Sequence, residues 1–335
     1  MGSSPTGSKK PERSDMKILI FTGQNGWIGE RLWRSSLPTN RFNILVATHP
    51  KSFMDDPKNE NRFKNKDHIL DWIKDETPDV VINTMAKTSV DGCESCDDGV
   101  WLSNAMLPLW MAESCVEWGV RLFIHLSTDY VFDKGPDCTT LIDERDQDYH
   151  PVNIYGITKL AGDLNIKAVY DSACDGELKA RIVRTSSLFG PGKKTFVDYA
   201  VSQFKEGKPV NCLRDSFSMP TYSEYLCDYI DNMIEKEYKA GEDDDTGDEL
   251  RYFKNCVNSS YRGTVSRFDM AVDTMQLASR HTIVKYQPDL VRAADASDFL
   301  AKRPAWSMLR PNTEYCPPRD YKLELNRHLV CEYCA

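Results

Sequence analysis

Five short apolar runs punctuate the first half of the chain: 17–21 (KILIF), 43–47 (NILVA), 79–83 (DVVIN), 121–126 (RLFIHL) and 180–184 (ARIVR). Each is rich in β-formers and apolar throughout rather than alternating, which predicts strands buried on both faces. Segments with helical spacing lie between them. Residues 30–36 form one, stopped by Pro38. Residues 67–76 form the next, with Asp67 as N-cap, Ile69, Leu70 and Ile73 as its spaced apolar positions, and Pro78 beyond its end. Then come 100–118, bent at Pro108, and 152–170. Trp72 and Trp101 take core positions in this periodicity. Strands alternating with helices place the chain in the α/β class, as a doubly wound parallel sheet. Such sheets bind ligands beyond the carboxyl ends of their strands, so chemistry is expected just after Phe21, Asn83, Leu126 and Arg184.

Composition narrows the partners. The 335 residues are 41% hydrophobic and 28% charged, enough for a full core and about two domains. Lys and Arg number 42 and Asp and Glu 51, a formal net charge of −9 that speaks against a nucleic-acid or anionic-membrane partner. No apolar run approaches the ~20 residues that span a bilayer. Residues 1–15 (MGSSPTGSKKPERSD) lack the apolar stretch of a signal peptide and are expected to be a disordered tail. Eleven cysteines, an odd number, argue against a disulfide scaffold. The CxxC pairs Cys93–Cys96 and Cys331–Cys334 lie far apart and have no matching His pair, so no metal site is assigned. A cytoplasmic protein with reduced thiols is expected. His49, His125 and His150 are not spaced as ligands and are assigned to packing and solvent contact. The acidic stretch 241–249 (GEDDDTGDE) reads as a solvated loop.

The chemistry begins where the first strand ends. Gly23, Gly26 and Gly29 follow a strand and open a helix, the context in which glycines let a backbone approach a pyrophosphate at a helix N-terminus. Trp27 and Ile28 belong to the same turn. After the second strand an acidic residue would bind the ribose 2′-hydroxyl of NAD. Here the chain offers Thr48-His49-Pro50-Lys51. A cation without a carboxylate tolerates a 2′-phosphate, so NADPH is expected, with NADH as the alternative. Met85 and Ala86, beyond the third strand, complete the expected cofactor set. Farther on, Thr128 ends the strand 121–126 region, and Tyr155 and Lys159 stand four apart on one helix face. A neighbouring ammonium would favour tyrosinate and lower the phenol pKa from about 10. Tyr155 could then act as general acid toward a carbonyl being reduced, with Thr128 bonding the same oxygen.

With these residues in that order, the chain resembles an extended short-chain dehydrogenase/reductase. Within that superfamily it is most similar to the dTDP-4-dehydrorhamnose reductases. The resemblance lies in DVVINTMAKTSVDGCES (79–95), STDYVFD (127–133), NIYGITKLAGD (153–163), RTSSLFG (184–190), DSFSMPTY (215–222) and SRFDMA (266–271). It implies a Rossmann domain over 16–188. A smaller C-terminal part, 189–335, would be mainly substrate-binding, with some segments returning to the sheet. It implies NADPH-dependent reduction of the C4 carbonyl of a nucleotide-linked 4-keto-6-deoxy sugar. Tyr155 would donate the proton, Lys159 would also hold the nicotinamide ribose, and Thr128 would contact the carbonyl. Thr88 and Val90 match positions lining the sugar–nicotinamide pocket, and Asp129, Tyr130 and Ser187 fall among substrate-facing positions. Asn104 matches an asparagine in the helix before the catalytic strand. The nucleotide would lie near Phe196, Arg214 and Pro220.

The chain also departs from the pattern. Ser187 stands where the family usually has a large residue, Ser218 replaces a glycine, and Arg62 aligns with an aspartate near the adenine. The glycine loop Gly26-Trp-Ile-Gly resembles that of plant UDP-rhamnose epimerase/reductases, so a UDP sugar stays open. The regulatory β subunit of methionine adenosyltransferase belongs to the same subfamily. A non-catalytic, NADP-binding partner of that enzyme's catalytic subunit is therefore the alternative, and another nucleotide-sugar reductase or an epimerase a third. A homodimer is also left open.

Overall fold

The computed structural model describes residues 16–23, 26–36, 43–49, 64–95, 97–173, 178–239, 252–259, 264–294 and 298–334. The apolar runs become parallel strands of one sheet: β1 (Lys17–Gly23), β2 (Asn43–His49), β3 (Val80–Asn83), β4 (Leu122–Thr128) and β5 (Lys179–Thr185). A sixth strand, β6 (Phe253–Asn255), extends the order to β2-β1-β3-β4-β5-β6, with every neighbouring pair parallel. From β1 the chain passes to β2 on one side and then crosses back to β3 on the other. That reversal opens a crevice beyond the carboxyl ends of β1 and β3.

Side-chain alternation divides the core. Ile18, Ile20, Val80, Ile82, Leu122, Ile124 and Val183 face α1 (Trp27–Ser36) and the helices of the second half. Leu19, Phe21, Val81, Phe123 and Ile182 face the other way, toward Ile73 of α2 (Lys64–Glu76), Leu107 and Met111 of α3 (98–117), and Ile166 of α4 (Ile154–Ser172). Each strand is thus covered twice, which is why its run is apolar without alternation. The second half adds α5 (Phe196–Lys205), α6 (Ser223–Lys239), α7 (Arg267–Arg280) and α8 (Tyr321–Tyr333) to the α1 side. A third cluster, Val131, Phe132, Ile142, Met219, Val257, Trp306, Met308 and Leu309, packs the C-terminal arm against the segment after β4. Among the described residues no helix is long and apolar enough to cross a membrane.

Helix α3 differs from the expected bend at Pro108. Asp98–Trp101 and Leu107–Glu117 are α-helical, and a π-helical turn, Leu102–Met106, joins them. Pro108 has no N–H to give the Asn104 carbonyl, so the turn widens just before it. The freed carbonyls turn to α4. Asn165 Nδ2 donates to Ala105 O at 3.2 Å, and Gly162 lies so close that a Cβ there would sit 2.2 Å from Asn104 O. Trp101, expected in the core, is 38% exposed, because the π turn shifts the helical phase. Trp72 does pack inward, its ring 6.1 Å from that of Phe21.

An exposed helix glycine replaced by alanine ordinarily gains about 1 kcal/mol. Gly162→Ala should instead destabilise the protein by about 2 kcal/mol or more, because the obstacle is backbone. Urea denaturation of the two proteins measures the sign.

Candidate active site

Hydrogen bonds pin the start of α4 to the C-terminal arm and to the short helix after β3, and cap the turn that follows β4. Asn153 caps α4, its Oδ1 accepting from Gly156 N at 2.8 Å while its Nδ2 donates to Lys302 O at 2.8 Å. Glu94 Oε1 accepts from Ile154 N at 3.0 Å. Thr128 ends the strand and caps the turn Asp129–Val131, accepting from Tyr130 N at 3.2 Å. These contacts bring the Tyr155 phenol beside the Thr128 hydroxyl, and edge-on to Tyr130 at 5.9 Å between ring centroids. Burial of the Tyr155 hydroxyl raises its pKa above the usual value, and the Thr128 bond pulls the other way. Tyr155 is therefore a protonated phenol at neutral pH.

This corrects the expectation that Lys159 lowers the Tyr155 pKa. Lys159 does lie on the same helix, but its side chain is 1% exposed. Its ammonium nitrogen is turned behind the strand, donating to Leu126 O at 2.7 Å and meeting His125 Nε2 at 2.9 Å. Burial pulls the lysine pKa down to about 8, opposed by the nearby Asp163 carboxylate.

Asp129 is a tie rather than an open ligand. It is 1% exposed, and Oδ2 accepts from both Ser186 and Ser307 hydroxyls at 2.7 Å while Oδ1 accepts from Thr128 at 3.2 Å. It thereby links β4, the end of β5 and the C-terminal arm. Burial raises its pKa to about 6, partly offset by those hydroxyls and the Arg267 charge. Tyr130 is half-buried and Thr88 exposed. Val90 opens a short helix whose Asp91 pairs with Arg303, Oδ2 to Nη2 at 2.8 Å. Ser187 takes the left-handed conformation, φ 31°, with its hydroxyl 3.2 Å from that of Ser218. Phe196 and Arg214 stand farther along the C-terminal half, Phe196 under the Arg267 guanidinium at 5.0 Å and Arg214 over Phe268 at 4.3 Å.

The dinucleotide positions fit such a ligand through backbone more than side chain. Gly23 ends β1, and Glu30 N–Gly26 O, at 3.0 Å, is the first bond of α1 among the described residues. The N–H groups of Trp27, Ile28 and Gly29 precede that bond, at the helix end where backbone amides can meet phosphate oxygens. A Cβ on Gly29 would come within 2.5 Å of Thr22, so only glycine seats α1 this close to β1. The side chains are otherwise engaged. Trp27 Nε1 donates to Pro191 O at 2.7 Å, and Ile28 and Met85 are core residues. Ala86 is half-buried. Lys51 lies outside the described residues, as do Cys96, Arg62 and the acidic stretch 241–249. Among the described residues no group of three or more His, Cys, Asp or Glu side chains could hold a metal ion.

Three residues beside the site were not foreseen from sequence: His125, Asn83 and Arg267. His125 is 1% exposed. Its Nδ1 meets Asn83 Nδ2 at 3.0 Å, on the neighbouring strand. Ligand spacing is a poor test for a histidine whose partners come from another strand and a later helix. Arg267, inside the SRFDMA stretch, turns its charge on Asp129 and Tyr130.

With this arrangement in view, comparison with known proteins is decisive for the family. The family model described as RmlD substrate binding domain matches residues 16–329. The chain belongs to this family. The dTDP-4-dehydrorhamnose reductase of Salmonella typhimurium is 32% identical over 213 residues, 64% of this chain and 65% of that protein. The chain thus aligns with about 65% of the length of that relative. The reductase of Aggregatibacter actinomycetemcomitans is 27% identical over 299 residues, 88% of this chain and 90% of that protein. Among solved structures, a Clostridium acetobutylicum dTDP-4-dehydrorhamnose reductase superposes with a TM-score of 0.73 at 25% identity, covering 94% of this chain and 99% of that one. A Bacillus anthracis dTDP-4-dehydrorhamnose reductase in complex with NADP gives a TM-score of 0.75 at 23% identity, with the same coverage. The six-stranded parallel sheet described above is the Rossmann sheet of this family.

A pH dependence follows for the Asp129 tie. Its folded pKa of about 6 lies above the ordinary 3.8, so the fold prefers the protonated acid. The associated stability is full below about pH 4 and lost as pH rises through 6. Relative to Asp129→Asn, the wild type should lose on the order of 1–3 kcal/mol between about pH 4 and about pH 7. Paired denaturation curves at the two pH values check this.

Proposed function

We propose that the protein is an NADPH-dependent reductase of the C4 carbonyl of a nucleotide-linked 4-keto-6-deoxy sugar, converting dTDP-4-dehydrorhamnose to dTDP-rhamnose. The observation that carries this reading is the Thr128–Tyr155 contact at the carboxyl end of β4, with Lys159 behind it, in a chain of the RmlD family. NADPH, when bound, supplies the hydride. Gly23, Gly26, Gly29 and the amides of Trp27 and Ile28 would hold its pyrophosphate. Met85, Ala86 and Lys51 would lie along the rest of the cofactor, and NADH is the weaker candidate. Tyr155 keeps its proton on Oη until negative charge develops on the substrate oxygen, then donates it to that oxygen. Thr128 Oγ1 orients the same oxygen. Lys159 supports return of the proton to Tyr155. Thr88, Val90, Tyr130 and Ser187 would line the sugar, and Phe196 and Arg214 the nucleotide. Asp129 would hold the wall together from behind.

A second reading has one observation in its favour. Ser187 is small at a position where the family usually places a large residue, which opens the sugar side. A regulatory subunit binding NADP and a methionine adenosyltransferase catalytic subunit would need no sugar pocket there.

Loss of NADPH absorbance with dTDP-4-dehydrorhamnose tests the first reading. Absence of turnover with both dTDP and UDP substrates, by folded protein, rejects it, and co-purification with a methionine adenosyltransferase would then favour the second. Tyr155→Phe should lower kcat by about 10²–10⁴-fold while leaving the NADPH dissociation constant nearly unchanged. An equally active variant would remove Tyr155 as the acid.

A further inference from the structure

The buried side of Lys159 carries a hydrogen-bond problem with one good solution. Met85 N donates to Asn83 Oδ1 at 2.9 Å, so the Asn83 amide must keep its oxygen toward that N–H. Its NH2 group then faces His125 Nδ1 at 3.0 Å. A donor opposite Nδ1 makes Nδ1 the acceptor, and the imidazole proton stands on Nε2. Nε2 is the atom that meets Lys159 Nζ at 2.9 Å. Two N–H groups would therefore point at each other if the lysine were an ammonium. A neutral amine resolves the contact, accepting from His125 Nε2–H on its lone pair while donating to Leu126 O at 2.7 Å.

The charged surroundings leave the histidine uncharged. Asp163, one turn along α4 from Lys159, has Oδ1 3.8 Å from His125 Nε2, beyond hydrogen-bonding distance, and its Oδ2 accepts from Ser127 at 2.6 Å. Arg184 of β5 acts on Asp163 from the far side. Tyr155, one turn before Lys159, is a protonated phenol. Burial and the lysine charge both hold the His125 pKa well below its ordinary value.

We propose that His125 is a positioning residue for Lys159: neutral and locked by Asn83 with its proton on Nε2, it aims an N–H at the lysine nitrogen, so that the lysine, not the histidine, is the group that gives and takes a proton behind Tyr155. The role in turnover rests on reading Tyr155 and Lys159 as the proton-transfer pair. The lock itself does not, and it is measured without cofactor or substrate.

The experiment is ¹⁵N spectroscopy of the histidine rings in the full, cofactor-free chain, with His125 assigned through its bonds to the backbone. The tautomer is thus read on the wild type whether or not any variant folds. A protonated Nε2 and a bare Nδ1, unchanged from about pH 5 to about pH 9, are expected. An Nδ1–H tautomer, or an imidazolium forming near the ordinary pKa of about 6.5, overturns the proposal. In parallel, the Lys159 side chain, identified by its loss in Lys159→Met, should titrate at about 8. In His125→Gln, whose amide can turn an oxygen to the lysine, that midpoint should rise by about one unit. An unchanged midpoint in folded His125→Gln also overturns it. Failure of NADPH oxidation, with the tautomer as expected, would sink the proposed function and leave the lock standing.

Discussion

Two basic side chains, Lys159 and Arg184, are buried between α4 and the strands β4 and β5, and Asp163 is the carboxylate placed between them. Burying charge is costly unless each group finds partners, and the surrounding structure can be read as the set of those partners. Lys159 takes a strand carbonyl and a histidine. Asp163 takes the Ser127 hydroxyl. Arg184, fully buried, donates to Tyr149 Oη at 2.9 Å and lays its guanidinium over Phe253 at 3.8 Å, Phe132 at 4.9 Å and Tyr149 at 5.4 Å. Aromatic faces substitute for the hydrogen bonds that Nε and Nη1 do not make. Phe253 comes from the strand that returns to the sheet, and Phe132 from the turn after Thr128. The charge buried under the site thus helps to explain why distant segments converge on it.

That dependence also marks where sequence reading succeeds and where it stops. Strands β1 to β5 were legible because double coverage makes each an unbroken apolar run. Strand β6, Phe-Lys-Asn, carries no such signal. It is a strand because β5 offers an open edge and Arg184 a face for Phe253. Tyr155, Lys159 and Thr128 were legible because helical spacing and order after a strand already fix their neighbourhood. His125 was not. Its partners, Asn83, Lys159 and Asp163, come from another strand and a later helix, and no local spacing announces them. The direction of the Tyr155 pKa shift went the other way for the same reason: a shared helix face says that Tyr155 and Lys159 are neighbours, and says nothing of where the lysine nitrogen points.

The C-terminal arm meets the sheet through hydroxyls rather than through apolar area alone. Ser186 and Ser307 converge on Asp129, and Ser187 faces Ser218. Hydroxyl contacts fix direction without filling space. A small side chain in a left-handed conformation at Ser187 therefore leaves the sugar side shaped by backbone and by the arm. Under the proposed function, the sugar would meet Ser187 and the arm beside it, and the proton would pass between β4 and α4, so a change at Ser187 would bear first on the sugar side.

The same separation weighs on the choice between an enzyme and a regulatory binder. Holding a dinucleotide as a structural ligand would call on the helix-terminal amides at Trp27, Ile28 and Gly29, and nothing in that task calls for an enclosed phenol. The chain nevertheless encloses the Tyr155 hydroxyl against Thr128 and buries a lysine whose proton is loosely held. Each arrangement costs stability relative to an apolar packing of the same volume. A regulatory subunit of the subfamily can keep the same tyrosine and lysine, but the proposed reductase needs a proton held at one oxygen and a means of replacing it. The burial of Lys159 against His125 and the Leu126 carbonyl is thus a feature that the proposed reductase would use and that holding a structural nucleotide does not require.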